Sequence, residues 1–375
     1  MQNRRDLFVK DLITVLVFAL VCGAALFIKP YNEVGLCEGS KEKAVVLQVD
    51  NSNVFTAGIV KRGEQSLKIK ILSGKHSGQV FNGANILRAQ MDLDKMFNVG
   101  DTVLAAVPEN ASPEKDTINA QDFYRTNQMA VLFGLFALLL LAFAGMTGLK
   151  ALVSFVFSCV VVWKIVIPLC LDGANPIWVC MAAVFILSAA IIFLVAGFTR
   201  KGTTSFLGTM LGVFASCITA YFFSKLFRIN GAVMPYSQAL LYSGFEDLNL
   251  ADIFIGAIFL SSSGAVMDLS TDVAAGMHEL VRRNPQIGRA KLLASGLNIG
   301  RLVVGTMSTT LLLAYSGGYI TLMMTFAAQG VSPVDFLNNP YVASEAVKTL
   351  VGSFGLVLVA PFTALAGAFI LKPKL

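Results

Sequence analysis

The run Ile253-Phe254-Ile255-Gly256-Ala257-Ile258-Phe259-Leu260-Ser261-Ser262-Ser263-Gly264-Ala265-Val266-Met267-Asp268-Leu269-Ser270-Thr271-Asp272 decides how this chain is read. Its first half is apolar enough for a bilayer core, yet it ends in two carboxylates one helical turn apart. An ionisable group in a membrane helix costs about 2.5–3.5 kcal/mol on insertion scales unless it finds a partner or lines a wet cavity. On a 3.6-residue period Ser261, Ala265, Asp268, Asp272 and Gly276 project along one side, which is small and acidic. By the same count the next apolar stretch sets Asn298, Arg301, Gly305 and Ser308 on one side, with Thr306, Thr309 and Thr310 nearby. Counted at about 1.5 Å per residue from the loop between Arg282 and Lys291, Asp268 and Arg301 reach comparable depth. A carboxylate–guanidinium pair is therefore expected, with Asp272 nearer the cytoplasmic mouth.

Two readings stay open at this point. In one, Asp268, Asp272, Asn298, Arg301, Thr306 and Ser308 form a polar pathway for an ion, proton or solute. In the other, Asp268 and Arg301 are a buried structural pair and Asp272 caps a helix end.

The surroundings fix the class. The 375-residue chain is 55% hydrophobic and 14% charged, with a mean hydropathy of +0.70, which excludes an ordinary soluble domain. After a first apolar run from Leu12 to Ile28, spans are expected near 129–146, 150–171, 175–198, 203–224, 251–276, 291–316 and 346–371, each long enough to cross about 30 Å. The expected fold is therefore a membrane α-helical bundle of about eight transmembrane helices, with a lipid bilayer around it. A small extracytoplasmic β-rich domain sits between the first two. The domain boundaries are an N-terminal anchor over 1–28, the β domain and linker over 29–126, and a seven-helix membrane domain over 127–375.

Charge placement orients this arrangement. With the N-terminus inside, Arg4, Arg5, Lys10, Lys150, Arg200, Lys201, Arg282, Arg283, Arg289, Lys291, Lys372 and Lys374 all face the cytoplasm, against Lys225, Arg228 and Lys348 in short outer loops. Both termini are then cytoplasmic in a bacterial cell membrane. The net charge of +6 is spent on topology, and no nucleic-acid partner is expected.

From about Lys29 to Thr126 alternation predicts strands over Lys43–Val49, Thr56–Val60, Leu67–Leu72 and Val99–Val107. Lys61-Arg62-Gly63-Glu64 reads as a hairpin turn, Ser73 to Gly78 as a longer loop, and Asn98 to Asp101 as a turn. Pro108, Pro113 and the charges between them read as a linker to the membrane. Residues 230–247 read as an outer loop with an interfacial or re-entrant segment. Tyr319 to Ala328 reads as a half-helix beyond a break at Gly317-Gly318.

Enzyme signatures do not emerge. His76 and His278 fall on opposite sides of the membrane, so no His-pair metal site is expected. Gly74-Lys75 is followed by His76 where a phosphate-binding loop needs Ser or Thr. The cysteines show no metal-ligand or disulfide spacing. Neither a cofactor nor a metal is called for.

Several phrases resemble the YibE/F family of bacterial multi-pass membrane proteins across nearly the whole chain. They are Ile71 to Gly78, Val99-Gly100-Asp101-Thr102-Val103-Leu104, Gly197-Phe198-Thr199-Arg200-Lys201, Gly264-Ala265-Val266-Met267-Asp268, Arg283-Asn284-Pro285, Gly300-Arg301, Gly305-Thr306-Met307 and Leu311 to Tyr315. The family pattern is usually written with an acidic residue directly after the Gly-Arg pair, where this chain carries Leu302. Arg301 then depends here on Asp268 or Asp272. The resemblance implies a membrane protein without an established activity. The expected function is a secondary transporter or permease-like component that moves a small solute or cation past the intramembrane aspartates. The alternative is a non-transporting scaffold whose β domain binds an envelope protein through residues 43–107.

Overall fold

The computed structural model describes residues 14–24, 39–108, 110–113 and 115–372, so the basic N-terminal residues, Cys37 and both ends of the first apolar run lie outside the described residues. The chain divides into a β unit and a helical unit whose boundary falls at Leu139/Leu140, past the expected boundary at 126.

Six strands build the β unit: β1 (Ser40–Asp50), β2 (Val54–Ala57), β3 (Val60–Ile71), β4 (Val80–Arg88), β5 (Thr102–Val107) and β6 (Thr117–Phe123). β1 pairs with β5 over Ser40 to Val45 and with β3 over Ala44 to Asp50, and a bulge between Val46 and Gln48 lets it bend from one neighbour to the other. The ring closes as β1–β3–β4–β6–β5–β1, with β4 and β6 parallel and every other contact antiparallel. This is the strand order of the five-stranded Greek-key barrel called the OB-fold. Alternation drives closure: Ala44 and Val46, Leu67, Ile69 and Ile71, Val103, Ala105 and Val107 all point into one core with Phe81, Phe97 and Ile118.

The sequence pattern locates β1, the last five residues of β3 and β5, but the first hairpin lies elsewhere. Its turn lies at Gly58-Ile59, where Gly58 adopts φ +63°, and Lys61 to Glu64 are in β3. The segment Thr56–Val60, expected as one strand, therefore straddles the reversal. β4 and β6 were missed. Gly83 and Asn85 at inward positions weaken the apolar signal in β4, and β6 turns only Ile118 and the small Ala120 fully inward, too short a pattern to stand out after the linker prolines.

Two buried polar groups stiffen the barrel. The Gln65 side chain is fully buried. Its Nε2 donates to Asn51 Oδ1 (2.8 Å) and to the Phe97 carbonyl (2.9 Å), while its Oε1 accepts from Phe97 N (3.1 Å) and Asn85 Nδ2 (3.0 Å). Asn85 also donates to the Lys95 carbonyl at 2.6 Å, so one amide pair ties β3 and β4 to two loops. At the other end Glu42 Oε1 accepts from Ser40 Oγ (2.7 Å) and Lys75 N (3.1 Å) and meets His76 Nδ1 at 3.2 Å. Burial works to raise the Glu42 carboxyl, but the hydrogen bonds from Ser40 and His76 and the charge on His76 outweigh it, leaving it below the ordinary carboxylate value.

A carboxylate held low in the fold stabilises it fully above its unfolded value, and this contribution is lost as pH falls through the folded value. Hydrogen exchange of β1 in the intact protein, corrected for intrinsic rates, should therefore lose protection on acidification from about pH 5 downward. Glu42→Gln should flatten that dependence, and an unchanged acid slope in the variant would reject the assignment.

In the helical unit α1 (Thr14–Ala24) is a short apolar helix, and α2 (Thr126–Val161) continues through a π turn (Val162–Val166) into α3 (Ile167–Leu171). The segment Thr126–Val161 is two helices that meet at a sharp kink at Gly145 (φ +54°, ψ −125°), which falls at the end of the expected span 129–146. A Cβ added at Gly148 would collide with the Leu140 carbonyl, although eight residues of straight helix would separate the two by about 12 Å. Glycine alone tolerates that backbone cheaply.

Then follow α4 (Pro176–Ala196), α5 (Arg200–Leu226), the short α6 (Ser237–Tyr242), α7 (Leu250–Arg283), α8 (Arg289–Gly317), α9 (Ile320–Ala328), α10 (Pro333–Asn338) and α11 (Pro340–Ile370). Side-chain caps start several of them: Asn175 Oδ1 accepts from Ile177 N (3.0 Å), Thr199 Oγ1 from Gly202 N (3.1 Å) and Asn249 Oδ1 from Ala251 N (3.1 Å). Gly318 and Tyr319 separate α8 from α9, so the helix breaks just after Gly317. Among the described residues six helical stretches are long and apolar enough to cross a membrane: Thr126–Leu171, α4, α5, α7, α8 and α11. This is an integral membrane protein.

Candidate functional site

Helix α7 is the centre of the bundle, packed on α4, α5, α8 and α11. One of its sides is apolar and sealed: Phe254, Ile258, Phe259, Val266, Leu269, Val273 and Met277 are all buried. Small residues bring the neighbours close. A Cβ on Gly212 of α5 would lie 2.9 Å from both Val266 and Val359, and one on Gly300 of α8 would lie 2.6 Å from Ala360. Hydroxyls then fix the rotation of α7. Ser270 Oγ donates to the Ser205 carbonyl (2.6 Å) and lies 3.0 Å from Thr363 Oγ1, while Ser205 Oγ and Thr271 Oγ1 are 2.8 Å apart.

With that side held, Asp268 and Asp272 are turned outward. Both are exposed, and they line a groove of about 330 Å³ with Ile191 and Val195 of α4, Thr271, and Met307 of α8. Among the described residues neither carboxylate makes a hydrogen bond or an ion pair. The site is therefore two uncompensated acids on a hydroxyl-braced helix, in a cleft with apolar walls. Such a cleft can accept a cation or a proton without first breaking an internal contact.

The expected pair with Arg301 is not formed. Arg301 Nη1 instead donates to Asn298 Oδ1 at 3.2 Å, and both side chains are exposed on α8. Depth differs from the expectation by one helical turn: a Cβ on Gly300 would sit 3.7 Å from Val273, so Arg301 is level with Asp272 and not with Asp268. Direction differs as well. At about 100° per residue, Arg301 is roughly 120° round α8 from Met307, the residue that shares the groove with Asp268. The Thr306 hydroxyl bonds back to the Val303 carbonyl (3.0 Å), and Ser308 is half-buried. Of the six residues expected in one pathway, Asp268 and Asp272 share the groove, Asn298 and Arg301 share a hydrogen bond on another side of α8, and the two pairs do not meet.

Sequence reasoning missed a second polar cluster at the far end of α7. Ser261 Oγ and Tyr315 Oη are 2.9 Å apart, and Lys348 Nζ contacts Glu345 Oε1 at 2.7 Å with its ammonium 5.8 Å from the Tyr319 ring. Tyr315, Tyr319 and Glu345 line a mostly apolar cavity of about 330 Å³ with Met323, Phe336 and Leu350. The i, i+3 spacing of Glu345 and Lys348 was visible, but the last span was begun at 346, one residue past the acid.

A family model described as YibE/F-like protein matches residues 132–373, more than half of the chain and nearly all of its helical part. No curated protein and no solved structure is matched.

Proposed function

Because the chain belongs to the YibE/F-like family and its membrane core presents two unpaired carboxylates to an open cleft, we propose that it is a secondary transporter or permease-like component for a small solute or cation. Asp268 and Asp272 are the groups that bind and release the cation or proton. The observation that carries this reading is the groove itself. Two acids four residues apart on one helix repel each other, and without a guanidinium between them the pair is relieved by a proton or a cation. The β barrel lies outside the cytoplasm and both termini within it, an orientation supported by the basic residues at the helix ends.

Proteoliposomes carrying a pH dye or dyes for sodium, potassium and manganese should report a flux that Asp268→Asn lowers about tenfold or more, since each 1.4 kcal/mol lost is a factor of ten. The variant should still elute as a single folded species. Flux indifferent to Asp268, or none for any of these ions, would sink the proposal.

A second reading has one observation in its favour: Phe55, Ile59 and Ile86 of the barrel are largely exposed, as in a surface that meets another protein. A scaffold of that kind should retain an envelope protein in pull-downs of the full-length protein and lose it on Phe55→Ser.

A further inference from the structure

The free side of α8 is polar where a bilayer requires an apolar surface. Asn298, Arg301, Thr306, Thr309 and Thr310 are exposed along it, next to Leu302 at 78% exposure. The threonines satisfy themselves: Thr306, Thr309 and Thr310 return their hydroxyls to carbonyls of their own helix. Asn298 and Arg301 do not, because their mutual hydrogen bond leaves a full positive charge. Arg301 stands twelve residues into α8, some 18 Å along the axis from its first residue, too far for a simple escape to that end.

At the level of Arg301, but facing another way, stands Asp272, with Asp268 one turn further along α7, and both are uncompensated among the described residues. Acid and base share a depth in the membrane but not a direction within one chain. A two-fold axis along the membrane normal leaves depth unchanged and reverses direction. It therefore brings each guanidinium level with the acids of the other copy, and one symmetric contact satisfies both charges twice. Close approach is open at this face, since Gly305 has no neighbour within 4 Å of a Cβ position and Gly305-x-x-x-Thr309 is a small-residue pair one turn apart.

We propose that the chain assembles as a two-fold dimer in which Arg301 of the partner subunit closes the groove of Asp268 and Asp272. This rests on the reading of those acids as the working site and deepens it. One guanidinium against two carboxylates leaves each groove with a single unmatched negative charge, which suits a monovalent cation or a proton. Arg301 acts as a positioning residue that sets how many charges the groove still has to offer.

The test is subunit capture on lipid dilution, with full-length copies carrying two different dyes in liposomes. Wild type is expected to remain paired as lipid is added, and Arg301→Lys to stay close to it. R301D copies alone and D268R copies alone should each dissociate about tenfold or more readily, each losing an ion pair worth at least 1.4 kcal/mol. Mixed with each other, R301D and D268R copies should pair again, because one contact is then native and the other is its charge-reversed equivalent. A variant that simply failed to fold would not be rescued by mixing. A monomeric wild type, a dimer indifferent to both substitutions, or a mixture of folded variants that does not pair would each overturn the proposal. An Arg301-dependent dimer with no ion flux would instead remove the transport reading and leave this one standing.

Discussion

Gly208→Val is expected to abolish accumulation of folded protein, the largest effect of any single substitution considered in the helical unit. A Cβ at Gly208 would lie 2.0 Å from Thr363 Oγ1 and 2.8 Å from Ser270 Oγ. Neither atom can retreat. Thr363 and Ser270 are fully buried and 3.0 Å from each other, and Ser270 is also bound to the Ser205 carbonyl. Valine must push α5 away from α7 and α11 together, at an overpacking cost of about 1–3 kcal/mol, and it strips buried hydroxyls of their partners for about 1–3 kcal/mol more each. The sum rivals the whole stability of an ordinary domain. Fluorescence-detected size exclusion should show aggregate in place of the wild-type peak, and a variant of wild-type thermal stability would contradict this packing.

In the barrel the corresponding position is Gln65. Gln65→Leu should lower the stability of the β unit by about 4 kcal/mol, since it removes four hydrogen bonds and orphans buried groups of Asn85 and Phe97. Leucine nearly matches the volume removed, so the loss is polar and not a cavity effect. Hydrogen exchange of β3 and β4 in the full-length protein should accelerate by about three orders of magnitude, which is 4 kcal/mol at 1.4 per decade. Protection within tenfold of wild type would show that the amide network is dispensable.

Particular residues mark where the sequence was legible. Length and hydropathy locate α4, α5 and α8 to within three residues, and α7 and α11 with one end six or seven residues short, because burying an apolar face and crossing a bilayer impose the same long uncharged pattern. The bend in α2 was foreseen only as a gap between two spans. Its cause is the φ of one residue, Gly145, among many glycines of identical appearance. Asp268 and Asp272 were recognisable because charge in an apolar run is rare. The partner of Arg301 was not, since counting residues gives depth along an axis, while the identity of a neighbour also depends on rotation, which Ser205, Ser270 and Thr363 set from three different helices. The same limit hid Gln65, whose role depends on Phe97, thirty-two residues away.

The closed ring of the β unit restricts what it can recruit. A peptide that docks by extending a ladder needs a strand with one row of amides and carbonyls unspoken for. β1 has ladder partners on both sides only at Ala44 and Val45, β4 meets β6 over just Asn82 to Ala84, and the four residues of β2 are bonded along one side. Among the described residues the free ladder is therefore confined to short pieces. A partner of the kind proposed would draw most of its recognition from side chains, and point substitution at the surface would abolish it without disturbing the architecture beneath.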